Sequence, residues 1–207
     1  AGSALFSDGD MWTGPAVSTW YGGESVVDVM NAMGYSAAAV GNHEFDFGQD
    51  VLLARSQEAD FPFLAANLID AGSGEPPAYA QPFSVVEVNG VQVGVIGLTL
   101  DGLSTVVCSD NLAGLEETGY EQALRDTVPL ARAAGAEALI VIAHVCPDDL
   151  MGLTWLASEL GIALLTAGHC HSTFVGQNRG VMVVSPGASM VEFAQVVPQP
   201  YHWTAET

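Results

Sequence analysis

Apolar positions in this chain come in short uncharged runs that alternate with stretches of helical spacing, and most runs end in glycine and polar residues. Residues 4–7 read as a strand that stops at the tight turn Asp8-Gly9-Asp10, and 11–14 read as loop. Pro15 suits a first helical turn, where its missing donor costs nothing, and the spacing of Val26, Val27, Met30 and Met33 predicts a helix that Gly34 stops. A buried strand follows at 35–40, then the cluster Gly-Asn-His-Glu-Phe-Asp-Phe-Gly at 41–48, then a helix from Gln49. Residues 61–68 read as another strand, and 70–77, rich in Gly, Pro and Ser, as a surface loop. The strongest local signal lies at 83–88 and 91–99, two β-rich runs joined by Asn89-Gly90, the residue pair that a type I′ hairpin turn favours.

Helix is predicted over 119–134 and 148–160, and strand over 138–143 and 161–166, the last running into Ala-Gly-His-Cys-His at 167–171. Two more strands are predicted at 181–185 and 191–197, with Pro186-Gly187 turning between them. Early strand-helix alternation and a strand-rich later part suggest an α/β fold of sheet layers flanked by helices, with antiparallel pairing added by the hairpin.

A chain of 207 residues without an internal repeat or a long linker predicts a single domain over 1–207, with 198–207 as a tail or the start of a linker. At 49% hydrophobic and 14% charged it is globular, and Glu137 and His144 break its most apolar segment, so no run approaches the roughly 20 residues that cross a bilayer. The formal charge of -20 arises from 24 acidic residues against 4 arginines (Arg55, Arg125, Arg132 and Arg179), with no lysine. A protein that grips a nucleic-acid polymer neutralises phosphates with a basic stripe, which argues against such a partner here. A small anionic substrate would need its positive charge from bound metal ions instead.

Four histidines fall immediately after predicted strands: His43, His144, His169 and His171. One such histidine is ordinarily a core residue satisfied by a hydrogen bond. Four of them, joined by Asp10 and Asn42, gather imidazole, amide oxygen and carboxylate at the strand ends where α/β sheets place ligands. That donor mixture suits zinc, iron, cobalt or manganese. Cys146 and Cys170 each lie within two residues of a candidate ligand, which leaves open a thiolate ligand, a disulfide bracing the site, or two buried thiols. Trp12 and Trp20 read as core and Asn67 as a structural hydrogen-bonder; Cys108 has no reading.

Four motifs, GDMWTG at 9–14, GNHEFD at 41–46, IAHV at 142–145 and GHCH at 168–171, resemble those of the calcineurin-like metallophosphoesterases, specifically the 5′-nucleotidase branch. NGVQVGVIGLT at 89–99 fits the same pattern, so the likeness covers nearly the whole chain. The resemblance implies a two-sheet sandwich flanked by helices (α/β/β/α) and two divalent ions, Zn, Mn, Fe or Co. It makes Asp10 the carboxylate that bridges them, with Asn42, His144 and His169 completing one site and His171 serving the other. His43 is then no ligand; it lies over the phosphate and acts with Asp46, and residues three apart can face one another across a turn. A cationic imidazole there would steady negative charge or protonate the leaving oxygen. Glu44 is read as a hydrogen-bonding structural acid. The implied reaction is 5′-nucleotidase-like hydrolysis of a nucleotide or related small phosphoester: water held between the metals loses a proton and attacks phosphorus in line, while His43 assists the departing alcohol.

Two departures qualify the likeness. The family opens with a strand bearing Asp-x-His, yet the only acid before Asp10 is Asp8, with no histidine beside it, so the chain offers one nearly complete metal site and half of another. The expectation is a chain that continues upstream of Ala1. A C-terminal domain that stacks the nucleobase is also not in the sequence, which points to such a domain or an assembly partner; Tyr201 and Trp203 read as a linker toward it or a frayed end, and His202 as a solvated tail residue. A non-catalytic module with an incomplete metal site, serving in a larger assembly, is the second reading. A thiosulfate-processing relative of the same fold is disfavoured by the intact Asn42-His43 pair. The resemblance further implies a role in nucleotide catabolism and an extracytoplasmic location, periplasmic, secreted or surface-attached.

Overall fold

The computed structural model describes residues 2–199 and 202–206, so the linker reading of Tyr201 lies outside the described residues. The first part of the chain runs β1 (Phe6–Ser7), α1 (Ala16–Trp20), α2 (Glu24–Met33), β2 (Ala37–Ala39), a 3-10 turn (His43–Phe45), α3 (Gln49–Glu58), β3 (Phe63–Leu64) and β4 (Leu68–Asp70). The hairpin β5 (Phe83–Val88) and β6 (Val91–Leu98) follows, then two 3-10 turns, β7 (Leu115–Glu117), α4 (Tyr120–Ala133), β8 (Ala138–Ala143), α5 (Pro147–Leu160) and β9 (Leu164–Ala167). β10 (Thr173–Asn178), β11 (Val181–Pro186), β12 (Gln195–Gln199) and β13 (His202–Glu206) complete it.

Two sheets carry the architecture. One has three parallel strands in the order β1-β2-β3; the other has six in the order β10-β11-β9-β8-β6-β5, parallel at its centre and antiparallel at both edges. Side chains alternate across each strand, so odd and even positions serve different layers. Leu139, Val141 and Ala143 of β8 pack with Leu124 and Val128 of α4 and Leu150 and Leu156 of α5. Their neighbours Ile140 and Ile142 face the other way, onto Ala37, Ala39 and Leu64 of the small sheet. On that sheet's far side, Ala38 and Phe63 pack with Met30 of α2 and Leu52 of α3. The layers are therefore helix, sheet, sheet, helix, as the resemblance implied. Each fully buried leucine, isoleucine or phenylalanine in them contributes on the order of 1.5–3 kcal/mol. The sheets approach closely at Gly97, where an added Cβ would overlap Leu64.

Most elements follow the hydrophobic pattern. Asn89 and Gly90 both take positive φ (52° and 82°) and Val88 pairs with Val91, the geometry of the predicted I′ turn. The single helix expected before Gly34 is instead two, broken at Gly22-Gly23. There the Trp12 ring occupies the space a side chain at position 23 would need, and both glycines adopt positive φ. Trp12 is buried as expected, but Trp20 is not core: at the end of short α1 it is 84% exposed. β10 escaped the sequence reading because its apolar residues, Phe174 and Val175, are adjacent rather than alternating, on an edge strand that is mostly exposed. The strand expected to begin at 191 begins at Gln195, after a turn in which Ser189 and Met190 take positive φ. Residues 202–206, within the stretch expected as a tail or the start of a linker, pair antiparallel with β12, His202 opposite Gln199. Among the described residues no helix is long and apolar enough to cross a membrane.

Candidate metal centre

Every candidate ligand, and His43 with them, sits just past the carboxyl end of a parallel strand: Asp10 after β1, Asn42 and His43 after β2, His144 after β8, and His169 and His171 after β9. Parallel pairing within each sheet, and the packing of the two sheets, bring these ends to one rim. The loops fit together because glycine lines them. A Cβ on Gly41 would lie 2.5 Å from the Asp10 backbone nitrogen and 2.8 Å from Glu44 Oε2, and one on Gly168 would lie 2.7 Å from the Asp8 carbonyl. Asp10, His169 and His171 hold φ of 58°, 61° and 52°, a left-handed conformation that costs a non-glycine residue energy and gathers at functional sites.

Glu44 is the clamp between the first two loops. Its fully buried carboxylate accepts N–H bonds from Gly41 (2.6 Å), Asp10 (2.8 Å) and Met11 (2.7 Å), as the structural-acid reading anticipated. Burial pushes its carboxyl up to about 6, the charge of Asp10 adds to the rise, and the donated N–H groups offset part of it. Glu44→Ala would orphan one buried donor, Gly41, and two partly buried ones, Asp10 and Met11, at up to roughly 1–3 kcal/mol each. We expect a fall in stability of about 2–4 kcal/mol by thermal or denaturant unfolding, with Glu44→Gln, which keeps one acceptor oxygen, in between.

The candidate ligand atoms converge on His144, which is buried. Its Nδ1–H donates to the Asp8 carbonyl (2.7 Å), which turns Nε2 toward Asp10 Oδ2 (2.9 Å), Asn42 Oδ1 (3.1 Å) and His169 Nδ1 (3.1 Å). Asp10, His144 and His169 place one ligand atom each within 4.8 Å of one another. A neutral His144 with its proton on Nδ1 would set lone pair against lone pair at both oxygens, and a charged one has a single N–H for three acceptors. A divalent cation among the four atoms removes the conflict, and the carboxylate, amide and two imidazoles form a donor set that such ions take. The carbonyl partner of His144 is the outer-shell contact that fixes a ligating imidazole's tautomer.

The charges are arranged to match. Burial alone would raise the Asp10 carboxyl, but the His144 hydrogen bond and charge, with the His43 N–H (2.8 Å to Oδ1), hold it below the usual range. Burial, then the charge of His144, lowers the His169 imidazole, which favours the neutral form that a metal ligand needs. For His144 itself burial acts downward, and the hydrogen bond and charge of Asp10 more than reverse it.

Beside this cluster, His43 Nδ1–H donates to Asp46 Oδ2 (2.8 Å) across the 3-10 turn, with the two side chains 47% and 34% exposed. Asn111 Nδ2 holds that turn from a distant loop through the Phe45 carbonyl (2.8 Å), a contact with no signal in the sequence. His171 is exposed and stands outside the three-residue group. Asp8, noticed in the sequence only for lacking a neighbouring histidine, contributes its carbonyl to His144 and its carboxylate to the Thr166 hydroxyl. Asn67 exchanges two hydrogen bonds with the Thr99 backbone (2.9 and 2.8 Å), as its structural reading required. Cys146 and Cys170 form a disulfide, Cα atoms 5.2 Å apart, which closes the three alternatives left open above; Cys108 is free and exposed.

A helix/sheet/sheet/helix sandwich with strand-end ligands on one rim is the calcineurin-like phosphoesterase fold. The structure superposes on a calcineurin-like phosphoesterase from Bacillus subtilis with a TM-score of 0.76 at 24% identity, covering 97% of this chain and 73% of that one. The sulfate thiohydrolase of Thermus thermophilus gives a TM-score of 0.79 at 23% identity over 93% of this chain and 35% of that one, so fold alone does not separate the two chemistries. Sequence adds the branch: the chain is 30% identical over 142 residues, 68% of its length, to the 5′-nucleotidase of Vibrio cholerae. No protein-family model matches. In sequence and in fold the chain is a relative of the 5′-nucleotidase branch of the calcineurin-like metallophosphoesterases. It spans about 25% of the length of that Vibrio relative.

Proposed function

We propose that the chain is the metal-binding part of a 5′-nucleotidase-like phosphohydrolase, with a nucleotide or related small phosphoester as substrate. The observation that carries this is the convergence of Asp10, Asn42, His144 and His169, from four separate strand ends, beside the His43–Asp46 pair. In this reading those four residues hold one divalent ion, and His171, farther along its loop, is assigned to a second. A divalent ion there supplies Lewis-acid chemistry: it polarises a phosphoryl oxygen and makes water acidic enough to attack at neutral pH.

The remaining work falls to the chain. Asp46 accepts the His43 Nδ1–H, which orients the ring so that Nε2 can deliver a proton to the departing oxygen. The exposed pair also favours an enzyme over a non-catalytic module, because neither packing nor metal binding requires it. Recognition of the rest of the substrate is assigned to a C-terminal domain or assembly partner. The disulfide supports an extracytoplasmic location, since such bonds persist in oxidising compartments.

The test is phosphate release from nucleoside 5′-monophosphates by the protein loaded in turn with Mn, Zn and Co, against a thiosulfonate ester as the competing substrate class. The proposal predicts metal-dependent phosphate release. Hydrolysis of the sulfur ester with no phosphate release would contradict it.

A further inference from the structure

The disulfide joins the two loops that carry the imidazole ligands. Cys146 lies two residues past His144 at the start of α5, and Cys170 lies between His169 and His171. Besides the disulfide, the second loop is held at its start, by the Gly168 N–H bond to the Ala143 carbonyl (2.9 Å) and the His169 Nδ1 contact with His144 Nε2 (3.1 Å). His169 and His171, on either side of Cys170, both take left-handed φ, and the Cys170 N–H bond to the Gly168 carbonyl (2.7 Å) closes within the loop itself. Cys170 itself, between two residues in unfavourable backbone conformations, reaches the first loop through the covalent bond, so cutting that bond frees the middle of the loop to relax. Cys170 is exposed, so a reductant reaches the bond, while Cys146 is half-buried behind it.

We infer that the Cys146–Cys170 disulfide is a redox-sensitive positioning tie for the metal centre, so that only the oxidised chain holds His169 and His171 in register with His144. The inference rests on the metal-site reading above. Opening the tie takes a dithiol: its thiolate attacks one sulfur to give a mixed disulfide, and its second sulfur resolves this. Two electrons and two protons pass to the cysteines, which end as two thiols, and the dithiol leaves as its cyclic disulfide. A chain kept in a reducing compartment is therefore poor in metal and silent, and it captures its ion after oxidation.

The test uses Mn(II), an ion suited to oxygen and imidazole donors and not to thiolates, so that freed cysteines do not replace the lost ligands. Free Mn(II) is measured by electron paramagnetic resonance against four samples, all well below their unfolding temperatures. These are the oxidised chain, the chain after dithiothreitol and anaerobic desalting, Cys146→Ser/Cys170→Ser, and His169→Ala. Thiol titration follows the redox state: Cys108 alone reacts before reduction, and all three cysteines after it.

The expected result is Mn(II) binding at least roughly tenfold weaker in the reduced chain and in the double-serine variant, the lower bound for losing a contact that orients a ligand. Reoxidation should restore the reduced chain and leave the variant unchanged. Equal affinity in oxidised, reduced and double-serine protein, even with a lower melting temperature, would show a purely structural bond and overturn the inference alone. If the oxidised chain binds Mn(II) no more tightly than His169→Ala, the metal site is wrong and the inference falls with it.

Discussion

Replacing His43 with alanine is expected to lower turnover of a phosphoester about 10²- to 10⁴-fold, the range that a positioned proton donor contributes, while bound metal stays the same. The division follows from which atoms do what. The His43 ring engages Asp46, outside the group that surrounds His144 Nε2, whereas its backbone N–H supports Asp10, and that N–H survives substitution by alanine. Asp46→Asn should give a smaller loss, because an amide oxygen can still accept the Nδ1–H and keep the imidazole in place, while the charge opposite it is lost. Steady-state kinetics with elemental analysis on the same samples checks both. Loss of metal in His43→Ala would mean that the ring belongs to the metal shell.

His169→Ala should do the opposite, removing metal and activity together. His169 Nδ1 lies 3.1 Å from His144 Nε2, and burial, then the charge of His144, lowers its imidazole below the ordinary value. Deleting a direct ligand should weaken affinity by more than the roughly 10- to 100-fold that follows loss of an outer-shell partner. The fold should survive, because the His169 backbone already sits in a loop past β9 and the β8, β9 and β11 ladder does not depend on it. Metal content per chain after dialysis, with circular dichroism as the folding control, reads the result. Unchanged stoichiometry would remove His169 from the site.

Much of this could be read from the residues in order because the strong signals are local. Asn89-Gly90 fixes a hairpin through its own backbone preferences, and β8 spans the predicted 138–143. The candidate ligands were visible because they follow strands, and a parallel sheet lines up its strand ends whatever the intervening chain does. Long-range contacts were the less legible part. The break at Gly22-Gly23 exists because the Trp12 ring fills the space beside it, and the tautomer of His144 is set by a backbone carbonyl at position 8, an atom every residue type carries. Cysteine positions left three chemistries open, and only the 5.2 Å approach of two loops distinguished them. β10 failed for a subtler reason: an exposed edge strand is under little pressure to alternate, so its pattern carries little information.

The most direct test of the account is anomalous scattering from crystals of the protein grown with Mn(II) or Zn(II). The account predicts a peak bonded to Asp10 Oδ2, Asn42 Oδ1, His144 Nε2 and His169 Nδ1, with His43 and Asp46 beside it and not bound to it. A peak elsewhere, or none at this rim in metal-saturated crystals, would contradict it.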